Sequence, residues 1–270
     1  MMQVKFNGKE LDTQFKTSLE FFKNVSKNEN DVWIINGFAT KENIALKEND
    51  ELFCIEKCVM PPKEALEAMM SARHTPKVYE KLKNSSVAVC GLGGLGSHIA
   101  INLARSGVGH LKLIDFDVIE PSNLNRQAYR VSDLGKLKTQ ALKEQINEIN
   151  PYISVEICTL KIDENNLKSL FKDIDIVCEA FDSAAAKAML AQNFHKFYPS
   201  TSLICASGLA GYGNSNAIQT KKIAQNFYMC GDLVSEAKPG NGLMAPRVNI
   251  CAGHQANLVL ELLVKNENKS

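Results

Sequence analysis

The feature that most constrains this chain is the run VAVCGLGGLGS, residues 87–97. A short apolar segment, Val87 to Cys90, breaks into glycines at 91, 93 and 96, and a helical pattern then runs from Leu95 to Ser106 and stops at Gly107. Glycines at this spacing between a strand and a helix let the backbone approach a polyphosphate closely. The helix amino end adds N–H groups and a positive dipole. Such a unit needs a parallel neighbour to bury its strand, so the segment predicts a doubly wound sheet.

The residues that follow keep the alternation. Leu111 to Asp115 reads as the second strand, and Leu137, Ala141, Leu142, Ile146 and Ile149 form a helical stripe ending before Pro151. Then come strand 155–158, helix 165–171, strand 174–180, helix 184–197 and strand 203–206. Residues 208–246 are rich in Gly and Asn with little periodicity, which reads as a long functional or disordered loop.

The amino-terminal part has another rhythm. Met2 to Phe6 alternates like a strand, and Asn7-Gly8 and Asn36-Gly37 are hairpin turn signals. Thr17 or Ser18 can cap a helix carrying Leu19, Phe22 and Val25, and a last strand runs through Leu52 and Cys54. Strands around one helix in residues 1–58 suggest a β-grasp, ubiquitin-like domain. Pro61-Pro62 break that pattern, and residues 59–84 are expected to connect it to, and pack on, a catalytic domain spanning 85–270.

Composition narrows the function classes. The 270 residues carry 31 basic and 30 acidic side chains for a net charge of +1, which argues against a dedicated nucleic-acid binder. No apolar signal core opens the chain, and no run reaches the ~18 residues of a membrane span, so a cytoplasmic protein is expected. Eight cysteines include no Cys-x-x-Cys, and most read as buried thiols, so no zinc is expected. Cys230 is the thiol inside the long loop. A role in accepting sulfur or an acyl group would require a lowered pKa and a nearby base.

Nucleotide chemistry can be read at successive strand ends. Asp115 lies 19 positions after Gly96, a spacing that suits a ribose hydroxyl. Asn123, Arg126 and Gln127 follow, Lys138 opens the next helix, and Asp182 ends another strand. A hydride-transfer enzyme needs little positive charge beyond a pyrophosphate. Neutralising three phosphates needs Arg, Lys and a metal-binding acid, so the set fits ATP with Mg²⁺ better than NAD. His98 and His254 read as packing residues, and Arg105 as solvated or reaching a neighbouring subunit.

The segments GLGGLGS, LARSGVGHLKLIDFDVIEPSNLNRQAYR, GKLKTQALKEQINEINP and FDS resemble the adenylating domain shared by ThiF, MoeB, HesA and the ubiquitin-activating enzymes. The tail from Gly231 to Asn257 is similar to the shorter ThiF branch, and residues 1–58 resemble the sulfur carrier ThiS, without its terminal Gly-Gly. The resemblance implies that Gly91, Gly93 and Gly96 hold phosphates and that Asp115, with Asp117, binds ribose. It implies phosphate contacts from Asn123, Arg126 and Lys138, with Gln127 steadying that loop, and Mg²⁺ on Asp182. It also implies an arginine ahead of the first strand, here Arg73, acting in its own or a partner subunit's site of a homodimer. The implied activity is adenylation of the carboxyl terminus of a small β-grasp sulfur carrier for thiazole synthesis, with a sulfur donor protein as second partner. Related carboxylate-activating enzymes, such as a tRNA-modification dehydratase, an NAD-dependent oxidoreductase and a non-catalytic scaffold are the rival readings.

Overall fold

The computed structural model describes residues 1–75 and 77–265; Pro76 and the last five residues of the expected catalytic span lie outside it, as do the side chains of Lys63 and Glu64. The chain divides into two compact units, Met1–Glu80 and Lys81–Ser270.

In the first unit, β1 (Met2–Phe6), β2 (Lys9–Thr13), β3 (Val32–Ile35), β4 (Phe38–Ala39) and β5 (Glu51–Ile55) form a sheet of order β2-β1-β5-β3-β4. The central β1–β5 pair is parallel and the others are antiparallel. Both expected turns form, with Asn7, Gly8, Asn36 and Gly37 at positive φ. Helix α1 (Ser18–Val25) starts on a Thr17–Glu20 capping box and lays Phe21 and Phe22 on one face of the sheet, where Phe22 stacks on Trp33 at 4.9 Å. Burying each of these rings contributes roughly 1.5–3 kcal/mol. This is the β-grasp arrangement.

The strand period of two sends Ile34 and Phe53 to the opposite face. Helix α2 (Lys63–Met70) covers them with Ala68 and Met69, and Ala72 completes that small core. The connector was expected to pack on the following domain. Within the first unit its helix packs on the β-grasp sheet, whose second face is apolar and needs cover. The division at residue 80 therefore falls inside the expected connector, within α3 (Val78–Lys83).

In the second unit the strands are β6 (Ser86–Cys90), β7 (His110–Ile114), β8 (Ser154–Cys158), β9 (Ile176–Glu179), β10 (Ser202–Ala206), β11 (Gln219–Ala224) and β12 (Phe227–Gly231). Their order is β11-β12-β10-β9-β6-β7-β8, parallel except for β11. Read along the parallel strands this is the doubly wound 3-2-1-4-5-6 order, whose ligand crevice opens between the first and fourth strands, here β6 and β9. Helices α6 (Leu167–Leu170) and α7 (Ala184–Phe197) cover one face through Leu167, Leu170, Leu190 and Phe194. Helix α4 (Gly94–Arg105) packs on the other, flanked by α5 (Lys138–Ile149) and α8 (Ala245–Lys265).

The stretch expected to be a loop from 208 to 246 is corrected in part. A hairpin turning at Asn226, which has positive φ, makes β11 and β12, and β12 joins the sheet beside β10. Its exposed partner β11 has no apolar alternation, and β12 finds its parallel mate 24 positions upstream, Phe227 beside Leu203, so no local pattern announces either. Among the described residues no helix is long and apolar enough to cross a membrane.

Candidate nucleotide-binding site

The glycine turn is built as its sequence requires. Gly91 sits at φ +87, and a Cβ there would lie 2.8 Å from the carbonyl oxygen of Ala180 at the end of β9. A Cβ on Gly96 would lie 1.8 Å from the Gly91 carbonyl oxygen, so the helix can close on the turn only without a side chain. Gly94 faces Val248 of α8 and the Arg126 side chain, which places the Arg126 loop at the cradle. Glycine substitution space on the Gly93 side reaches only the Gln127 amide, at 3.8 Å.

Asp115, at the end of β7, is 8% exposed and braces the cradle: Oδ2 accepts from Leu92 N–H at 2.6 Å and Oδ1 from Asp117 N–H at 2.8 Å. Its expected role toward ribose therefore starts from a carboxylate already holding the glycine turn. Tyr129, which sequence reasoning passed over, donates its buried hydroxyl to the Leu92 carbonyl at 2.8 Å and holds the turn from the other side. Burial and the nearby Asp115, Asp133 and Asp117 push that phenol well above its ordinary range, so it remains a donor.

The segment after β7 folds back over the cradle. Its 3-10 turn, Pro121–Asn123, is closed by Glu120 N–H donating to Asn123 Oδ1. Ser97 Oγ accepts from Ala128 N–H at 3.1 Å while donating to the Gly93 carbonyl at 2.6 Å. His98 Nε2 meets the Arg126 carbonyl at 3.1 Å, and burial lowers its pKa, consistent with the expected packing role. Arg126 is half-buried and donates to the Ser122 carbonyl and Asn125 Oδ1. Gln127 is 8% exposed, and its Oε1 has no partner among the described residues. An orphaned buried acceptor beside a glycine cradle fits a ligand donor or an ordered water.

Lys138, the first residue of α5, is buried, and its Nζ donates to Asp117 Oδ2 at 2.7 Å. Asp182 is exposed at the turn that follows β9, one residue before the Ser183 cap of α7. The sheet thus brings the glycines, Asp115, Asp117, Asn123, Arg126, Gln127 and Lys138 to one crevice, with the Asp182 turn abutting it through Ala180. Arg73 lies in an exposed turn of the first unit. Among the described residues no group of three or more His, Cys, Asp or Glu could hold a metal ion. A lone Asp182 suits Mg²⁺ bound chiefly by nucleotide phosphates, the ion's usual habit.

Cys230 does not meet the requirement for sulfur or acyl transfer, and its expected place in a loop is corrected. It lies in β12, is fully buried, and burial pushes its thiol up to about 11, with Thr220 Oγ1 at 3.6 Å as its partner. A protonated, enclosed thiol is a poor acyl or sulfur acceptor. Two further ion pairs escaped sequence reading: Glu179 with Lys187 at 2.8 Å, and Asp232 with Arg247 at 2.5 Å. Neither pair has helical spacing, and no motif marks them.

A model of the ThiF family matches residues 66–270, and a ThiS-like ubiquitin model matches residues 2–58. The chain belongs to the ThiF family. It is 38% identical over 112 residues to a probable adenylyltransferase/sulfurtransferase MoeZ of Mycobacterium tuberculosis, covering 41% of this chain and 29% of that protein. It is 40% identical over 119 residues to a tRNA threonylcarbamoyladenosine dehydratase of Haemophilus influenzae, covering 43% and 46%. The chain thus spans less than half the length of these curated relatives. Among solved structures, the fold resembles Escherichia coli TcdA, a tRNA N6-threonylcarbamoyladenosine dehydratase, in complex with ATP, at TM-score 0.66 and 20% identity, over 76% of this chain and 97% of that one. It also resembles Escherichia coli MccB with AMPCPP and MccA, at TM-score 0.57 and 27% identity, over 75% and 62%. The ThiF-family assignment agrees with the crevice: a doubly wound sheet, a glycine cradle and a lysine-acid pair at the strand ends.

Proposed function

We propose that this ThiF-family chain adenylates the carboxyl terminus of a small β-grasp sulfur carrier. The observation that carries the reading is the buried Lys138 ammonium held by solvent-reached Asp117 beside the glycine cradle, with Arg126 on the same loop. A dinucleotide redox site has no use for that concentration of charge, whereas a triphosphate does.

The carrier carboxylate is ionised at neutral pH and needs no general base. One of its oxygens forms a bond to the α-phosphorus of ATP as the bond to the β-phosphate bridging oxygen breaks, and pyrophosphate leaves. The glycine turn and the α4 amino end bind the phosphates, Asp115 and Asp117 the ribose, and Lys138, Arg126 and Asn123 the charge that develops in transfer. Mg²⁺ on Asp182 would supply further neutralisation of the phosphates. The acyl carbon of the adenylate is then attacked by sulfide-level sulfur handed over by a donor protein: the C–S bond forms as the C–O bond to AMP breaks, and the carrier leaves as a thiocarboxylate.

The ThiS-like domain supports a ThiS-like carrier and the thiazole branch of thiamin synthesis. Its strand β5 runs into Glu56-Lys57-Cys58 rather than a free Gly-Gly, so it is not the substrate. A homodimer is supported by an apolar patch on the segment over the cradle, where exposed Val118 and Leu137 are bridge partners and Phe116, Val131 and Leu134 are also exposed. Arg73 is proposed to complete the site in its own or the partner subunit. Replacing Asp182 with Ala tests the core reading: Mg²⁺-dependent pyrophosphate exchange should vanish with the fold intact, and undiminished exchange removes Asp182 from the site.

A dehydratase-type activity is the second reading, favoured by the 40% identity to the tRNA threonylcarbamoyladenosine dehydratase. Carrier-dependent against tRNA-dependent release of AMP separates the two. A thermal shift with ATP-Mg²⁺ and none with NAD argues further against the oxidoreductase reading.

A further inference from the structure

We infer that buried Glu179, paired with half-buried Lys187, is a positioning device that fixes the turn carrying Asp182, so that this carboxylate meets the metal-nucleotide complex already placed. The inference rests on the reading of Asp182 as the Mg²⁺ ligand.

Glu179 is the last residue of β9 and is fully buried. A carboxylate is tolerated there only if paired and hydrogen-bonded. Both its oxygens accept from Lys187 Nζ, at 2.8 and 3.1 Å, and Oε1 also accepts from Phe181 N–H at 2.6 Å. Lys187 spends its third proton on the Ala206 carbonyl at 3.0 Å, at the end of β10. The location explains the need. The β9–β10 ladder pairs Cys178 with Ile204 as its last register, and beyond that point the two strand ends have no ladder between them. Lys187 bridges the gap from one side, and Gln255 of α8 bridges the backbone carbonyls of Glu179 and Ile204 at 3.2 Å each.

The consequence falls on residues 180–183. Ala180 N–H is fixed to the Cys90 carbonyl at 2.8 Å, Phe181 N–H to Glu179, and Ser183 caps α7 through Ala186 N–H. Every neighbour of Asp182 is therefore tied, while the Asp182 side chain has no partner among the described residues and stands exposed. The same turn touches the cradle, since Ala180 limits the space at Gly91. A ligand held in place before binding loses less conformational freedom on binding, which appears as affinity.

The test measures metal binding rather than turnover. Mn²⁺ half-saturation is followed by electron paramagnetic resonance on the full chain with a nonhydrolysable ATP analogue. Glu179→Leu with Lys187→Met removes the pair without changing net charge or introducing a lone buried ion. The Mn²⁺ concentration for half-saturation should rise about tenfold, while metal-free binding of the analogue stays within about twofold. Glu179→Gln with Lys187→Met keeps an acceptor for Phe181 N–H and should fall between the two. A folded Leu/Met protein with unchanged Mn²⁺ half-saturation overturns the inference. If that protein does not fold, the Gln/Met protein reads the loss of the Lys187 bridge to Glu179 and Ala206 with the Phe181 N–H acceptor kept, and an unchanged value in it overturns the inference equally. Asp182→Asn separates the layers: if it too leaves Mn²⁺ binding unchanged, the metal assignment fails and the positioning role fails with it.

Discussion

Lys138 and Asp117 are joined twice: Nζ donates to Oδ2 at 2.7 Å, and Lys138 N–H donates to the Asp117 carbonyl at 3.0 Å. The lysine side chain is 8% exposed and the aspartate 46%, so a buried cation is held at the crevice by an acid that solvent still reaches. A nucleotide phosphate could take the same ammonium at little cost in rearrangement.

Lys138→Met should therefore lower pyrophosphate exchange by about a hundredfold or more, the usual cost of losing one preorganised charge donor. Thermal stabilisation by ATP-Mg²⁺ should shrink in parallel. Exchange at the wild-type rate would remove Lys138 from the phosphate site.

Gly96→Ala should abolish that ATP-induced stabilisation, because the new Cβ would sit 1.8 Å from the Gly91 carbonyl oxygen and force the cradle open. Gly253→Ala is the control. It lies within α8 with nothing within 4 Å of its added Cβ, so its stability should hold or rise by up to about 1 kcal/mol of helix propensity and its ATP-induced stabilisation should persist. Equal behaviour of the two variants would show that the cradle tolerates a side chain.

Iodoacetamide at pH 8 should label exposed Cys58 first and leave Cys230 untouched in the folded protein, since burial pushes the Cys230 thiol up to about 11. Peptide mass spectrometry reads both sites. Rapid labelling of Cys230, or loss of exchange in Cys230→Ala, would make it a chemical participant.

Asp232 supplies a pH signature. Burial opposes its charge, but the Ser235 hydroxyl, the Ser235 and Val234 amides and Arg247 outweigh that and hold its carboxyl at about 2. A depressed carboxylate stabilises above its unfolded pKa, near 3.9, and loses that contribution as pH falls through the folded value. Stability should thus decline by roughly 2 kcal/mol between about pH 4 and pH 2 on this account. Asp232→Asn should be less stable at neutral pH and flatter across that window. Parallel curves for the two proteins would contradict the assignment.

Residues 1–80 should fold as a unit, whereas 1–58 should melt at a lower temperature or fail to fold. The shorter piece loses Ala68, Met69 and Ala72, which cover Ile34 and Phe53, themselves 1% and 6% exposed. Equal midpoints by circular dichroism would mean that α2 adds nothing to that core.

The sequence by itself determined whatever is decided within a dozen residues. The strand-to-helix turn at Gly91, Gly93 and Gly96 and the Asn-Gly turns of the β-grasp unit follow from local sterics and local hydrogen bonds and formed as read, and of the two cap candidates Thr17 is the one that caps α1. The run of candidate site residues from Asp115 to Lys138 could be proposed from the sequence because it is one continuous segment after a strand end. Only the tertiary structure decided that β12 lies beside β10, that α2 covers the small sheet, that Cys230 is sealed from solvent, and that Lys187 grips Glu179. These depend on which surfaces meet after distant segments assemble. Burial sets the reactivity of a thiol and the partner of a charge, and no pattern along the chain carries that information.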